Sequence, residues 1–174
     1  MIDYDLDFVP IQIAVLTISD TRTKLTDASG DALVNLIEVD GHSVRHRDII
    51  KDDSDLIETR LRELVLDLNI DCIICTGGTG VTGRDVTPEA FSRVMEKEIS
   101  GFGELFRWLS YQKIGTSTIQ SRAIGGVAKG TYLFALPGSK GAVKDAWAGI
   151  LRTQLDIRHR PCNLVELMPR LKEV

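Results

Sequence analysis

The chain is short of cysteine, has no excess of positive charge and no long apolar run, and each shortage removes a class of function. Three cysteines in 174 residues are an odd number and too few for a disulfide framework. A formal net charge of −4 speaks against a dedicated nucleic-acid-binding protein, whose footprint is basic. No apolar run approaches membrane-spanning length, and MIDYDLDFVP (1–10) is acidic where a secretion signal is basic. The expectation is a cytoplasmic protein that binds neither membrane nor nucleic acid. Internal repeats and low-complexity linkers are also absent, so residues 1–174 read as one domain. Hydrophobic residues at 43% and charged residues at 26% exclude extensive disorder. Small anions stay admissible, because a few local cations outweigh a weak global field.

What is present is an alternation. IQIAVLTIS (11–19) is a continuous apolar, β-rich run, the pattern of a strand buried on both faces. A helix follows near 28–39, with Gly41 as its stop. SVRHRDII (43–50) reads as a second strand. Ser54 reads as the cap of a helix in which Leu56, Leu61, Leu64, Val65 and Leu68 recur at helical spacing. The next strand covers 70–76. Its Cys72 and Cys75 form a C-x-x-C, but residues three apart on a strand point to opposite faces, so both are expected to be core residues. Thr87 and Pro88 read as a helix cap and first turn, 101–113 as a helix, TYLFAL (131–136) as a strand and 142–155 as an amphipathic helix. The segment 114–130 is mixed and receives no assignment. Trp108 and Trp147 fall on helical patterns and are expected in a core or an interface. His42, His46 and His159 have no spacing suited to a metal site or a triad. The alternation predicts an α/β domain around a mainly parallel sheet.

Ligands of such sheets bind outside the carboxyl ends of the strands. Three strand exits carry small or polar residues: 17–20, 76–80 and 137–140. The middle one opens CTGGTGVTGRDVTPEA (75–90), where only Val81 interrupts the glycines and threonines of 76–83. Gly78, Gly80 and Gly83 match a dinucleotide fingerprint, but the helix begins too late and Glu104 falls in a helical stretch rather than at a strand end. Gly78 and Gly83 match P-loop spacing, but Arg84 and Asp85 stand where Lys and Ser/Thr belong. The physics outlives both rejections. Consecutive glycines let backbone N–H groups surround an anion, and Asp85 beside it suits a carboxylate that brings Mg²⁺ to phosphates. The plain alternative is a turn that Asp85 caps. Asp52 or Asp53, in KDDSD (51–55), offers a second carboxylate at the same edge, or a solvated helix start. Ser121 and Arg122 offer a hydroxyl and a fork-shaped cation, and Lys140 an ammonium at the next helix start.

TGGTGVTGRDVTPEA and LPGSKGAVKDAW, together with GFGELFRWLS and GTSTIQSRAIGGVA, resemble the molybdopterin-binding MoaB/MogA family of molybdenum cofactor biosynthesis. RPCNL (160–164) is similar to the MoaB branch in particular, and the resemblance runs over about residues 10–165. It implies a three-layer α/β/α sandwich that binds molybdopterin, with Mg-ATP adenylylating the pterin phosphate and pyrophosphate leaving. It implies Asp85 and Asp52, with Asp53 adjacent, as the catalytic and metal-holding acids. Ligand contacts carry over to Thr76, Gly77, Gly78, Thr79 and Gly80, to Ser121 and Arg122, and to Pro137, Gly138 and Ser139. It also implies a homo-oligomer, a trimer or a hexamer of two trimers, with apolar residues of GFGELFRWLSY at an interface. The competing reading is a non-catalytic molybdopterin-binding or carrier protein; a nicotinamide-dependent oxidoreductase is a distant third.

Overall fold

The computed structural model describes residues 1–173. Strand β1 (Gln12–Ile18), helix α1 (Ala28–Val39), strand β2 (Ser43–Ile50), helix α2 (Ser54–Leu64) and strand β3 (Cys72–Thr76) succeed one another as the sequence pattern requires. Helix α3 (Thr87–Val94) follows the glycine loop, and the two-residue strand β4 (Lys97–Glu98) leads into α4 (Ser100–Ile114). The unassigned segment becomes a 3-10 turn (Gly115–Gln120) and strand β5 (Ile124–Ala128), which precedes β6 (Thr131–Leu136). Helix α5 (Lys140–Ala146) runs through a π segment (Trp147–Leu151) into α6 (Arg152–Gln154), and α7 (Leu164–Leu167) lies near the end.

The six strands lie in the order β2-β1-β3-β6-β5-β4. β2, β1, β3 and β6 pair in parallel, whereas β5 pairs antiparallel with β6 and β4 with β5. The sheet is therefore mostly parallel, with an antiparallel margin. Strand alternation divides its side chains between two cores. Ile13, Val15, Cys72 and Ile74 face α1, α4 and α5, while Ala14, Leu16, Ile73 and Cys75 face α2 and α3. The result is an α/β/α sandwich, as expected. The two cysteines do point to opposite faces, and burial pushes both thiols far above their ordinary range.

Several local expectations need correction. The cap of α2 is Asp53, whose carboxylate accepts from the N–H groups of Asp55 and Leu56, each at 3.0 Å; the Ser54 hydroxyl has no hydrogen-bond partner among the described residues. Leu56 and Leu68 are exposed, and α2 ends at Leu64. Thr87 is the first residue of α3 rather than its cap. Trp147 is buried and its indole N–H donates to Asp40 at 2.7 Å, but Trp108 is 60% exposed and so lies outside the core. Strand β5 escaped notice because IGGVA carries two glycines. A Cβ on Gly125 would come within 2.7 Å of the Phe134 ring and one on Gly126 within 2.2 Å of the Met95 sulfur. The β5–β6 turn is Lys129-Gly130 with φ of 52° and 84°, a primed hairpin turn without its usual Asn or Asp. Among the described residues no helix is long and apolar enough to cross a membrane.

Candidate functional site

Because β1, β3 and β6 are adjacent and parallel, Thr17, Thr76 and Leu136 stand in one row and their carboxyl-end loops share one edge. The backbones of these loops come into close contact. Gly77 has φ of 111°, and a Cβ there would meet the Ile18 carbonyl oxygen at 2.1 Å; one on Gly138 would meet the Gly77 Cα at 3.2 Å. The Thr76 hydroxyl, fully buried, donates to the Pro137 carbonyl at 3.1 Å and ties β3 to the β6 exit. Thr87 closes the glycine loop from the other end: its N–H donates to the Gly78 carbonyl and its hydroxyl to the Gly77 carbonyl, both at 3.0 Å.

Two carboxylates press against this loop. A Cβ on Gly78, whose φ is 62°, would lie 2.9 Å from Asp52 Oδ1, and one on Gly80 would lie 2.7 Å from Asp85 Oδ2. The small residues are thus required by the protein's own groups: the Ile18 carbonyl at Gly77, the Thr87 hydroxyl and then Asp52 at Gly78, and Asp85 at Gly80. Asp52 is locked to the β1 exit by a reciprocal exchange: the Asp20 N–H donates to its carboxylate at 3.1 Å and its own N–H donates to the Asp20 carboxylate at 3.3 Å. Burial, and after it the charges of Asp20 and Asp85, hold the Asp52 carboxyl above its ordinary range. Asp85 behaves oppositely. Burial opposes its charge, but the Thr82 hydroxyl at 2.7 Å and the Thr82 N–H at 2.8 Å outweigh that and hold it low. Arg84 points away, pairing through two nitrogens with Asp20 at 2.7 and 3.0 Å.

The cavity at this edge is an open cleft of about 490 Å³ and includes Asp52, the 77–80 backbone, Asp85, Ser121 and residues 137–139 in its walls. Thr76 lies behind it. Arg122 does not line it either: its guanidinium donates to the Gly80 and Asp85 carbonyls, each at 2.6 Å, and pairs with Glu89, clamping the glycine loop. Ser139 caps α5 by accepting from the Ala142 N–H at 3.1 Å, and Lys140 is exposed outside the cavity. Of the adjacent pair at 52 and 53, Asp52 is the one in the cavity wall. Sequence reasoning missed Arg22 and the far wall, which Ser117, Thr118 and Gln120 of the 3-10 turn build with Phe106 and Ile114. The only signal for Arg22 was its place just after the Thr17–Asp20 exit.

Among the described residues no three His, Cys, Asp or Glu side chains converge into a ready-made metal site. Two carboxylates beside a concave backbone fit Mg²⁺ nonetheless, since that ion commonly takes one or two carboxylates and completes its shell with phosphate and water oxygens.

The family described as "Probable molybdopterin binding domain" matches residues 14–157. The chain belongs to this family. The molybdenum cofactor biosynthesis protein B of Escherichia coli (strain K12) is 42% identical over 167 residues, 96% of each chain. A crystal structure of a molybdenum cofactor biosynthesis protein B superposes with a TM-score of 0.85 at 39% identity, covering 95% of this chain and 98% of the other. The tungsten cofactor synthesizing protein MoaB of Pyrococcus furiosus gives 0.77 at 28% identity, covering 94% and 98%. Within the molybdopterin-binding family the chain is thus of the MoaB branch. In this MoaB-type chain, as the row of strand exits predicts, the cavity opens at the carboxyl edge of the sheet.

Proposed function

We propose that the protein works in molybdenum cofactor biosynthesis as a molybdopterin adenylyltransferase. The observation that carries this is the convergence of Asp52 and Asp85, from two separate strand exits, on one glycine loop. A terminal phosphate oxygen of molybdopterin attacks the α-phosphorus of ATP. The new P–O bond replaces the bond to the bridging oxygen, and pyrophosphate leaves. The attacking oxygen is already anionic, so no protein nucleophile and no general base is needed.

The protein's part is positioning and charge. Gly77, Gly78, Thr79 and Gly80 present backbone toward the phosphates, with Ser121, Pro137, Gly138 and Ser139 on the facing walls; Thr76 and Arg122 keep these loops in place from behind. Asp52 and Asp85 would hold Mg²⁺, which supplies charge neutralisation at the phosphates when bound. Burial and the charges of Asp20 and Asp85 disfavour a charged Asp52, so a cation held there would offset that repulsion. Trimers, or hexamers of two trimers, accord with the exposed Trp108 and Tyr111 of α4, and the compartment we propose is the cytoplasm.

The direct test is mass spectrometry of a reaction with molybdopterin, ATP and Mg²⁺. A product with the mass of adenylyl-molybdopterin supports the reading. Molybdopterin bound and unchanged would make this a binding or carrier protein.

A further inference from the structure

The cavity straddles the sheet edge, and its charges are sorted by side. Asp52 and Asp85 stand on loops that lead to α2 and α3, the helices on one face of the sheet. Arg22 stands on the loop that leads to α1, and Ser139 on the loop to α5, both helices on the opposite face. Among the described residues that line the cavity, Arg22 is the only basic one.

Its guanidinium is also held. One terminal nitrogen donates to the Thr26 carbonyl at 3.2 Å and the other to the Gly138 carbonyl at 3.3 Å, while the Arg22 N–H donates to the Ser19 hydroxyl at 3.2 Å. The loop that carries it is anchored at its far end, where buried Asp27 accepts from the Thr17 hydroxyl at 2.7 Å and the Gly30 N–H at 2.9 Å. Arg22 therefore reaches from the β1 exit over β3 to the β6 exit, roughly 10 Å at ordinary strand spacing. Asp52 lies at the other end of that row, on the β2 exit. A guanidinium has five N–H donors, and two carbonyl bonds leave three for a ligand.

We propose that Arg22 is the receptor for the phosphate monoester of the pterin substrate, and that it sets that phosphate apart from the nucleotide. The assignment rests on the adenylyltransferase reading above. A bare dianionic phosphate is repelled by Asp52 and Asp85, whereas a metal-chelated triphosphate is drawn to them; a fork-shaped cation suits the former. In-line transfer needs the attacking oxygen and the leaving pyrophosphate on opposite sides of the α-phosphorus. Acids on one side of the edge and a cation on the other supply that polarity.

The test is equilibrium dialysis of wild type, Arg22→Ala and Arg22→Lys against three probes: molybdopterin, the same pterin after phosphatase treatment, and Mg-ATP. Wild type prefers the phosphorylated pterin; Arg22→Ala loses about 10- to 100-fold of that preference, Arg22→Lys retains part of it, and both keep Mg-ATP affinity. A general collapse of the loop would weaken all three probes together and would overturn the assignment, as would an unchanged preference. Failure of wild type to bind either pterin would bring down the adenylyltransferase reading itself, and Arg22's role with it.

Discussion

At the scale of residues, Asp52 carries the most unusual energetics of the site. Its carboxyl titrates high in the fold because burial and neighbouring negative charge disfavour ionisation. A folded-state value raised above the unfolded one contributes stability below the unfolded value, and that contribution disappears as pH rises through the folded value. At neutral pH the charged Asp52 therefore strains the ligand-free protein. Asp52→Asn keeps an oxygen to accept from the Asp20 N–H and removes the charge. We expect it to raise Tm at pH 7 by about 1–4 °C, to show no gain at pH 3, and to lose adenylylation. Thermal melts at the two pH values check the first two outcomes. An Asp52→Asn protein less stable at pH 7 than at pH 3, relative to wild type, would contradict the electrostatic account. The sequence left Asp52 and Asp53 undivided because they are neighbours of the same type. Only the extended backbone at Asp53, with φ of −133° and ψ of 120°, turns its carboxylate onto the α2 N–H groups and leaves Asp52 at the cavity.

At the scale of elements, the glycine loop tests how closely local space is filled. Gly78 sits at φ of 62°, and a Cβ there would lie 2.3 Å from the Thr87 hydroxyl, whereas Gly83 has open space around it. Gly78→Ala is expected to cost about 1–3 kcal/mol and to abolish ligand binding, since it displaces both Thr87 and Asp52. Gly83→Ala is expected to stay within about 0.5 kcal/mol of wild type. Urea denaturation of the two variants checks the contrast; equal losses would mean the loop is not packed as described. The strands were legible where they are apolar on both faces, as in β1, β3 and β6, because continuous apolar runs are what a central parallel strand requires. β5 was not, since its glycines exist to admit Phe134 and Met95 from neighbouring elements, a reason that lies outside the segment. Arg22 and the 3-10 turn wall stayed hidden for a related cause: irregular loops have no period to read.

At the scale of the whole molecule, the exposed side of α4 stands out. Trp108, Tyr111 and Ile114 are each more than half exposed, at 60, 53 and 56%, although they share a helix with the buried Phe102 and Phe106. Such a grouping of large apolar residues is the mark of a surface that meets another chain. With the proposed homo-oligomer in mind, Trp108→Arg is expected to lower the mass seen by light scattering toward that of one 19.2 kDa chain. A variant with the wild-type mass would exclude this face as the interface. The overall architecture was legible because alternation of strand and helix dictates layers, and a row of parallel strand exits dictates where a ligand sits.

Asp85, pressed against Gly80, is proposed to take part in molybdopterin-dependent chemistry on ATP. The measurement that meets this most directly is pyrophosphate release by purified protein with ATP and Mg²⁺, with and without molybdopterin, in wild type and Asp85→Asn. Release is expected to require molybdopterin and to fall at least about 100-fold in the variant, the scale of losing a key electrostatic group. No release from wild type that has bound molybdopterin, or full release by Asp85→Asn, would contradict it.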